Sequence, residues 1–324
     1  MKFVMTQAVC NEGMKLLDGV ADVYVADNRD PNNYLDQMQD ADAIIVRIAK
    51  MDANAIAHSP NLKVIGRTGV GYDTVDVAEA TKRGIPVVVT PGANNRAVAE
   101  HSVAMMFALA KNLVECHNEQ MKGNYAVRNK GVAFELGGKT VLVLGLGAIG
   151  REVARICQGI GMKVIGYDPF LTAEQIEAIG CEPCAEYRDA LPRADFVTVH
   201  VPLMDTTRGM IGEAELATMK KTAMIINCAR GGIVDEPALT AALNEGRIAG
   251  AGIDCFEEDP PSVDNPLMNA KNVIVSPHSA AQTREAVVNM ATMCVNGCLA
   301  VCRGEKWPYV ADKKVYDHPI WKDK

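Results

Sequence analysis

The sequence lacks an excess of positive charge. Among 324 residues, 33 Lys and Arg stand against 40 Asp and Glu, a formal net charge of -7. That balance argues against nucleic acid and anionic membrane as main partners. No apolar run approaches the roughly 18 residues of a membrane span. The opening MKFVMTQAVCNEG has too short an apolar segment for a signal peptide and reads as a first strand. Ten cysteines without a secretory signal then predict reduced thiols and a cytoplasmic protein. Cys181-Glu-Pro-Cys184 is a C-x-x-C with no second pair at zinc spacing, so no metal is expected. Cys294, Cys298 and Cys302 fall on one stripe of a helix and read as small buried hydrophobes. Internal repeats and low-complexity tracts are also missing.

What is present is concentrated between Val141 and Asp168, VLVLGLGAIGREVARICQGIGMKVIGYD. An apolar run, Val141 to Leu144, suits a buried parallel strand and leads into Gly145-Leu-Gly147-Ala-Ile-Gly150. Ile149, Val153, Ile156 and Ile160 then recur at helical spacing, and a second apolar run ends in Asp168. The first glycine allows a tight turn, the second lets backbone approach a pyrophosphate, and the third lets helix and strand pack closely. The helix start offers unpaired N–H groups to phosphates. Asp168 would take the adenosine ribose hydroxyls. NAD is expected rather than NADP, because a 2′-phosphate would meet Asp168 followed by Pro169, Phe170 and Leu171, with no cation near.

The first hundred residues alternate strand-like and helix-like pieces but carry no such fingerprint. Strands are predicted over Phe3 to Met5, Val23 to Ala26, Ala43 to Val46, Val64 to Gly66 and Val87 to Val89. Continuous apolar strands separated by helices imply a parallel sheet covered on both faces. Asn95 to Met121 reads as one long helix, suited to a domain crossing, a dimer face or a core position. Further strands are predicted at Phe196 to Val201, Ala223 to Cys228, Gly250 to Cys255 and Val273 to Ser276. Arg284 to Arg303 is helical with no strand after it, so it is expected to return to the first unit. Trp307 to Lys324 reads as a surface tail, or as one packed on the neighbouring domain. The expected domains are 1–99 with 288–324, and 100–287.

Ligands of doubly wound sheets sit at the carboxyl ends of the strands. Arg230, Asp254, the acidic run Glu257-Glu258-Asp259 and His278 stand at three such ends. Reduction of a carbonyl needs a proton donor, and histidine suits that role near neutral pH. A carboxylate beside it would orient and charge it. An anionic substrate calls for the fork of an arginine. Each residue has a plainer reading as well. Arg230 suits a surface ion pair, His278 suits a cap or core position, and the acidic run does not reveal which member would serve.

The chain resembles the D-2-hydroxyacid dehydrogenase family, in the branch with phosphoglycerate dehydrogenase and hydroxypyruvate or glyoxylate reductase. The motifs that carry the likeness run over most of its length. They are Arg67-Thr-Gly69-Val70-Gly71-Tyr-Asp73, Arg83-Gly84-Ile85-Pro86, Thr90-Pro91-Gly92-Ala93-Asn94, Ala99-Glu100-His101, the glycine fingerprint, Asn227-Cys-Ala-Arg230-Gly231-Gly232 and Pro277-His278. The resemblance implies an α/β fold of two doubly wound parallel-sheet domains. One is a Rossmann NAD-binding domain and the other a flavodoxin-like substrate-binding domain. It implies catalytic roles for Arg230 and His278. Cofactor contacts are implied at Val70, Gly145, Gly147, Ala148, Ile149, Gly150, Asp168, Val201, Pro202, Cys228, Ala229, Arg230, Asp254, His278, Ala280 and Ala281. Substrate would be held by Arg230, His278 and backbone N–H groups near Val70 and Gly71. One departure stands out. The family pattern has glutamate where this sequence has Asp259, one methylene shorter; Asp259 is expected to keep the catalytic role and steady the imidazolium of His278, with Glu258 as the second candidate partner.

The expected protein is an NAD-dependent oxidoreductase of small 2-keto or D-2-hydroxy acids, with 3-phosphoglycerate, hydroxypyruvate and glyoxylate foremost. A homodimer is expected, and no C-terminal regulatory domain. Arg96 reads either as a contact for a second anionic group on the substrate or as a solvated arginine at a helix start. The alternative is an NAD-sensing corepressor of the same fold, since fold alone does not fix function.

Overall fold

The computed structural model describes residues 1–28 and 30–322. The chain forms two compact units, Met1–Asn94 with Gln282–Lys324, and Asn95–Ala281. The sequence predicts divisions at 99/100 and 287/288; the fold divides a few residues earlier, where helices begin. Asn95 opens the helix Asn95–Ala110, and Thr283 caps the helix Arg284–Cys302 by accepting from Ala286 N.

The first unit holds five parallel strands, β1 (Lys2–Met5), β2 (Asp22–Val25), β3 (Ala43–Val46), β4 (Val64–Arg67) and β5 (Val87–Val88). Their order, β2-β1-β3-β4-β5, is the flavodoxin-like one. Side chains alternate across each strand. Val4, Ile44, Val46 and Ile65 face one core, while Phe3, Met5, Ala43, Ile45 and Val64 face the other. Both faces are covered, which is why the strands read as continuous apolar runs.

The helix Arg284–Cys302 covers the second of these faces, with Cys294 and Cys298 fully buried. A Cβ on Gly66 of β4 would lie 2.5 Å from the Cys298 Sγ and 2.7 Å from the Cys294 Sγ. Glycine therefore makes room for two buried sulfurs. This helix corrects one expectation from the sequence. By length and composition it could cross a membrane, with a mean hydropathy of 1.4, although 56% of it is buried in the fold. Its apolar character is explained by its packing against β3, β4 and β5. Of the two readings of the polar tail, the packed one holds, within the first unit. Ala311 N donates to Val87 O, Val310 bridges Val88, and Trp321 Nε1 donates to Gly84 O at 2.8 Å. The tail thus covers the open edge at β5. Asp323 and Lys324, at the end of that predicted tail, lie outside the described residues.

The second unit holds seven parallel strands. They are β6 (Thr140–Leu144), β7 (Lys163–Tyr167), β8 (Glu182–Pro183), β9 (Phe196–Val199), β10 (Met224–Asn227), β11 (Gly250–Ile253) and β12 (Val273–Val275). The order β12-β11-β10-β9-β6-β7-β8 is the Rossmann order with one strand added at the far edge. Apolar clusters fill both faces of this sheet as well. The single helix predicted over Asn95 to Met121 is two, Asn95–Ala110 and Leu113–Met121. Asn112 breaks it, with φ +50°, a left-handed conformation that asparagine tolerates better than most residues. Val103, Met105, Met106 and Leu109 of the first piece are core residues.

Candidate active site

The three fingerprint glycines have separate physical reasons. Gly145 turns the chain at φ +92°, and a Cβ there would lie 2.8 Å from the carbonyl carbon and oxygen of His200. At Gly150 a Cβ would lie 1.9 Å from the carbonyl oxygen of Gly145. A Cβ at Gly147 would meet nothing within 4 Å. That open side is where a phosphate can approach the backbone. The helix Ala148–Gly159 starts there with Gly147 as its N-cap and no side-chain cap, so the N–H groups of Ala148, Ile149 and Gly150 are available to an anion. Asp168 follows β7. Its Oδ2 accepts from Leu146 N at 2.9 Å and its Oδ1 from Phe170 N at 3.0 Å. The carboxylate is thereby fixed beside the turn, and each oxygen keeps a lone pair for a ribose hydroxyl. Val201 and Pro202 continue from β9 alongside Gly145. This cradle fits NAD.

Three loops at the neighbouring strand ends are bound to one another. Asp254, one residue past β11, is 1% exposed. Its Oδ1 accepts from Ser276 Oγ at 2.5 Å and Ser279 N at 2.8 Å, and its Oδ2 from Ala280 N at 2.9 Å. Its carbonyl oxygen accepts from His278 N at 2.9 Å. The carboxylate thus holds the loop rather than standing open toward a ligand. The Arg230 loop is pressed against the same segment. A Cβ on Gly231 would lie 2.0 Å from the Phe256 carbonyl, so only glycine fits. Asn227 closes that loop, donating to Arg230 O at 2.8 Å and accepting from Ala229 N at 3.1 Å. Cys228 and Ala229 lie between, and burial pushes the Cys228 thiol up to about 12.

His278 stands in the left-handed region, φ +50°, a costly conformation for a side chain of this size and one that gathers at functional sites. Its Nδ1 contacts the Asp259 Oδ2. The shorter arm of Asp259 therefore reaches the imidazole, and of the two carboxylates in question Asp259 is the one in contact. Both side chains are about one-third exposed, so the pair is open to a reactant. Ala280 is buried and Ala281 partly so.

In the first unit, Val70 is exposed and Gly71 partly so, on the loop after β4. That loop is tied down by Thr90 N donating to Gly69 O at 3.1 Å. Arg96 stands at the start of the helix Asn95–Ala110, with its guanidinium held by Glu100 and, at 2.7 Å, by Glu152. In the first unit, Arg47 with Gln7 and Thr68 lines a hollow, a place that nothing in the sequence marks beyond its position after β3.

His200 was also not foreseen. It follows β9, and its Nε2 lies 2.9 Å from Thr198 Oγ1. Burial pushes its pKa from the ordinary 6.5 down to about 4. The folded protein thus keeps His200 neutral over a range in which the unfolded chain binds a proton. Stability from this source is complete above pH 6.5 and declines as pH falls from 6.5 toward 4. Urea unfolding across that window should show the decline, and His200→Asn should flatten it. An unchanged slope in the variant would contradict a buried neutral histidine.

Residues 103–280 match the family model described as "D-isomer specific 2-hydroxyacid dehydrogenase, NAD binding domain". The chain is 42% identical over 305 residues to a D-3-phosphoglycerate dehydrogenase of Methanocaldococcus jannaschii, covering 94% of this chain and 58% of that protein. It spans about half the length of several of the other phosphoglycerate dehydrogenases it matches. A glyoxylate reductase of Aeropyrum pernix is 37% identical, with 96% of each chain covered. Among solved structures, the TT0316 protein of Thermus thermophilus superposes with a TM-score of 0.87 at 28% identity, covering 96% of this chain and all of that one. The glycine cradle, the sheet order and these likenesses agree: the chain belongs to the D-isomer-specific 2-hydroxyacid dehydrogenase family, and 103–280 is its NAD-binding domain.

Proposed function

We propose that the chain is an NAD-dependent oxidoreductase that reduces a small 2-keto acid or oxidises the matching D-2-hydroxy acid. The observation that carries this reading is the His278–Asp259 pair, held on a loop that Asp254 binds to the end of β11. In the reducing direction, protonated His278 gives its proton to the substrate carbonyl oxygen, and Asp259 stabilises the imidazolium. In the oxidising direction, neutral His278 takes the hydroxyl proton. Arg230 receives the substrate carboxylate and polarises the carbonyl. Bound NAD supplies the two-electron chemistry at C2 of the substrate. The neighbouring carboxylates and amides of this chain hold the groups in place while that occurs.

Relatives named D-3-phosphoglycerate dehydrogenase and glyoxylate reductase support 3-phosphoglycerate, hydroxypyruvate and glyoxylate as first candidates. Thiols that are unpaired at all ten cysteines suit the cytoplasm. A homodimer is supported by exposed Leu113, Val114, Met121, Tyr125 and Val132, which lie on and just after the helix Leu113–Met121. A solution mass of one chain would contradict it.

A panel of 2-keto acids, followed at the reduced-nicotinamide absorbance, tests the reading. Turnover should appear with NADH and fall sharply with NADPH, because Asp168 repels a 2′-phosphate. No turnover on any 2-keto acid would contradict it. Arg230→Lys should cost roughly two to three orders of magnitude in kcat/KM, about 3–4 kcal/mol, because an ammonium cannot make the paired hydrogen bonds of a guanidinium. Near-normal turnover would remove Arg230 from the site. Asp259→Asn keeps the shape and removes the carboxylate that contacts His278, so kcat/KM for reduction should fall by about tenfold or more. Wild-type kcat/KM would exclude Asp259 as the partner.

A further inference from the structure

We propose that His101 is a positioning residue for the proton-donor loop, acting through Ser276 and Asp254; the proposal rests on the reading of His278 as proton donor. His101 lies on the helix Asn95–Ala110, which packs against β10, β11 and the helix Ala148–Gly159. Its Nε2 is 2.9 Å from Ser276 Oγ and 3.7 Å from Asp254 Oδ1.

The protons of this cluster can be assigned. A carboxylate accepts only, so the single Ser276 hydroxyl proton is given to Asp254. The serine oxygen must then accept from His101, and Nε2 is the protonated nitrogen. The chain of donors runs from His101 Nε2–H through Ser276 Oγ–H to Asp254 Oδ1. Asp254 passes the order on, because its carboxylate also holds Ser279 N and Ala280 N and its carbonyl holds His278 N. The side chain of Asp254 has no exposed surface, so water cannot replace a lost donor. The titratable thiols near Asp254, Cys228 and Cys255, are both held protonated by burial. They supply no charge to it.

His101 therefore sets where the His278 backbone stands without touching the reacting atoms. A residue that merely filled space would be replaced by another ring of similar size. A residue that positions by donation would be replaced by glutamine, whose Nε2 carries a proton to about the same place.

The test compares His101→Phe, His101→Gln, Ser276→Ala and His278→Ala in the full chain, in steady-state reduction and NADH binding by fluorescence. His101→Phe and Ser276→Ala should each lower kcat by about tenfold, the rate equivalent of one hydrogen bond to a charged group. Substrate KM and NADH Kd should stay within about twofold. His101→Gln should restore most of the kcat. Ser276→Ala changes one atom and keeps the test valid if the phenylalanine variant folds poorly. If His101→Phe and Ser276→Ala keep wild-type kcat while His278→Ala is inactive, this proposal falls alone. Equal loss in His101→Gln and His101→Phe also overturns it. Normal reduction by His278→Ala overturns the proton-donor reading and this proposal together.

Discussion

A buried carboxylate organises the chemical end of the second unit. Asp254 lies one residue past β11, fully enclosed, and receives Ser276 Oγ, Ser279 N and Ala280 N. An ionised carboxylate away from water is costly unless its oxygens are filled by donors. The donors here come from the loop after β12, so satisfying the charge fixes that loop. His278, in a left-handed conformation it would not choose alone, is held by the same residue through the Asp254 carbonyl. Close approach at Gly231 brings the Arg230 loop to the segment that follows Asp254. Arginine, histidine and carboxylate are thereby carried on one connected block rather than on three independent loops.

The cofactor end follows a different principle. There the requirement is the absence of side-chain atoms. Gly145 and Gly150 leave space for protein backbone, and Gly147 leaves space for something outside it. The uncapped helix start supplies N–H groups, and Asp168 closes the far side. Both ends lie at the carboxyl edge of one parallel sheet, so the strands β6, β7, β9, β10, β11 and β12 set the distances between them. Rigid strand ends are a better foundation for this chemistry than free loops.

Much of this was legible in the sequence, for reasons that differ by residue. The buried strands announced themselves as apolar runs because both faces of each sheet are covered. The glycine turn and Asp168 were legible because their spacing is set by local geometry. Arg230 and His278 were legible by motif and by their place after strands. The pairing of His278 with Asp259 was legible only through the family pattern, because a loop of consecutive acids carries no register of its own until it folds. His101 lies in a family motif, but its role, like those of Ser276 and His200, arises from contacts in the fold that no local pattern shows. The two-residue strand β8 contains a proline and no alternation, so it was invisible. The helix break at Asn112 was hidden by apolar periodicity on both sides. The seat of the tail was not legible, because its partner, β5, is more than two hundred residues away in sequence.

The central claim is that the Asp254 charge holds the loop that carries His278. Amide hydrogen exchange in Asp254→Asn tests it most directly, read at Ser279 and Ala280 beside the helix Ala148–Gly159. The expected result is faster exchange at Ser279 and Ala280 with the helix unchanged, together with reduced turnover. Wild-type protection at both amides would contradict the account.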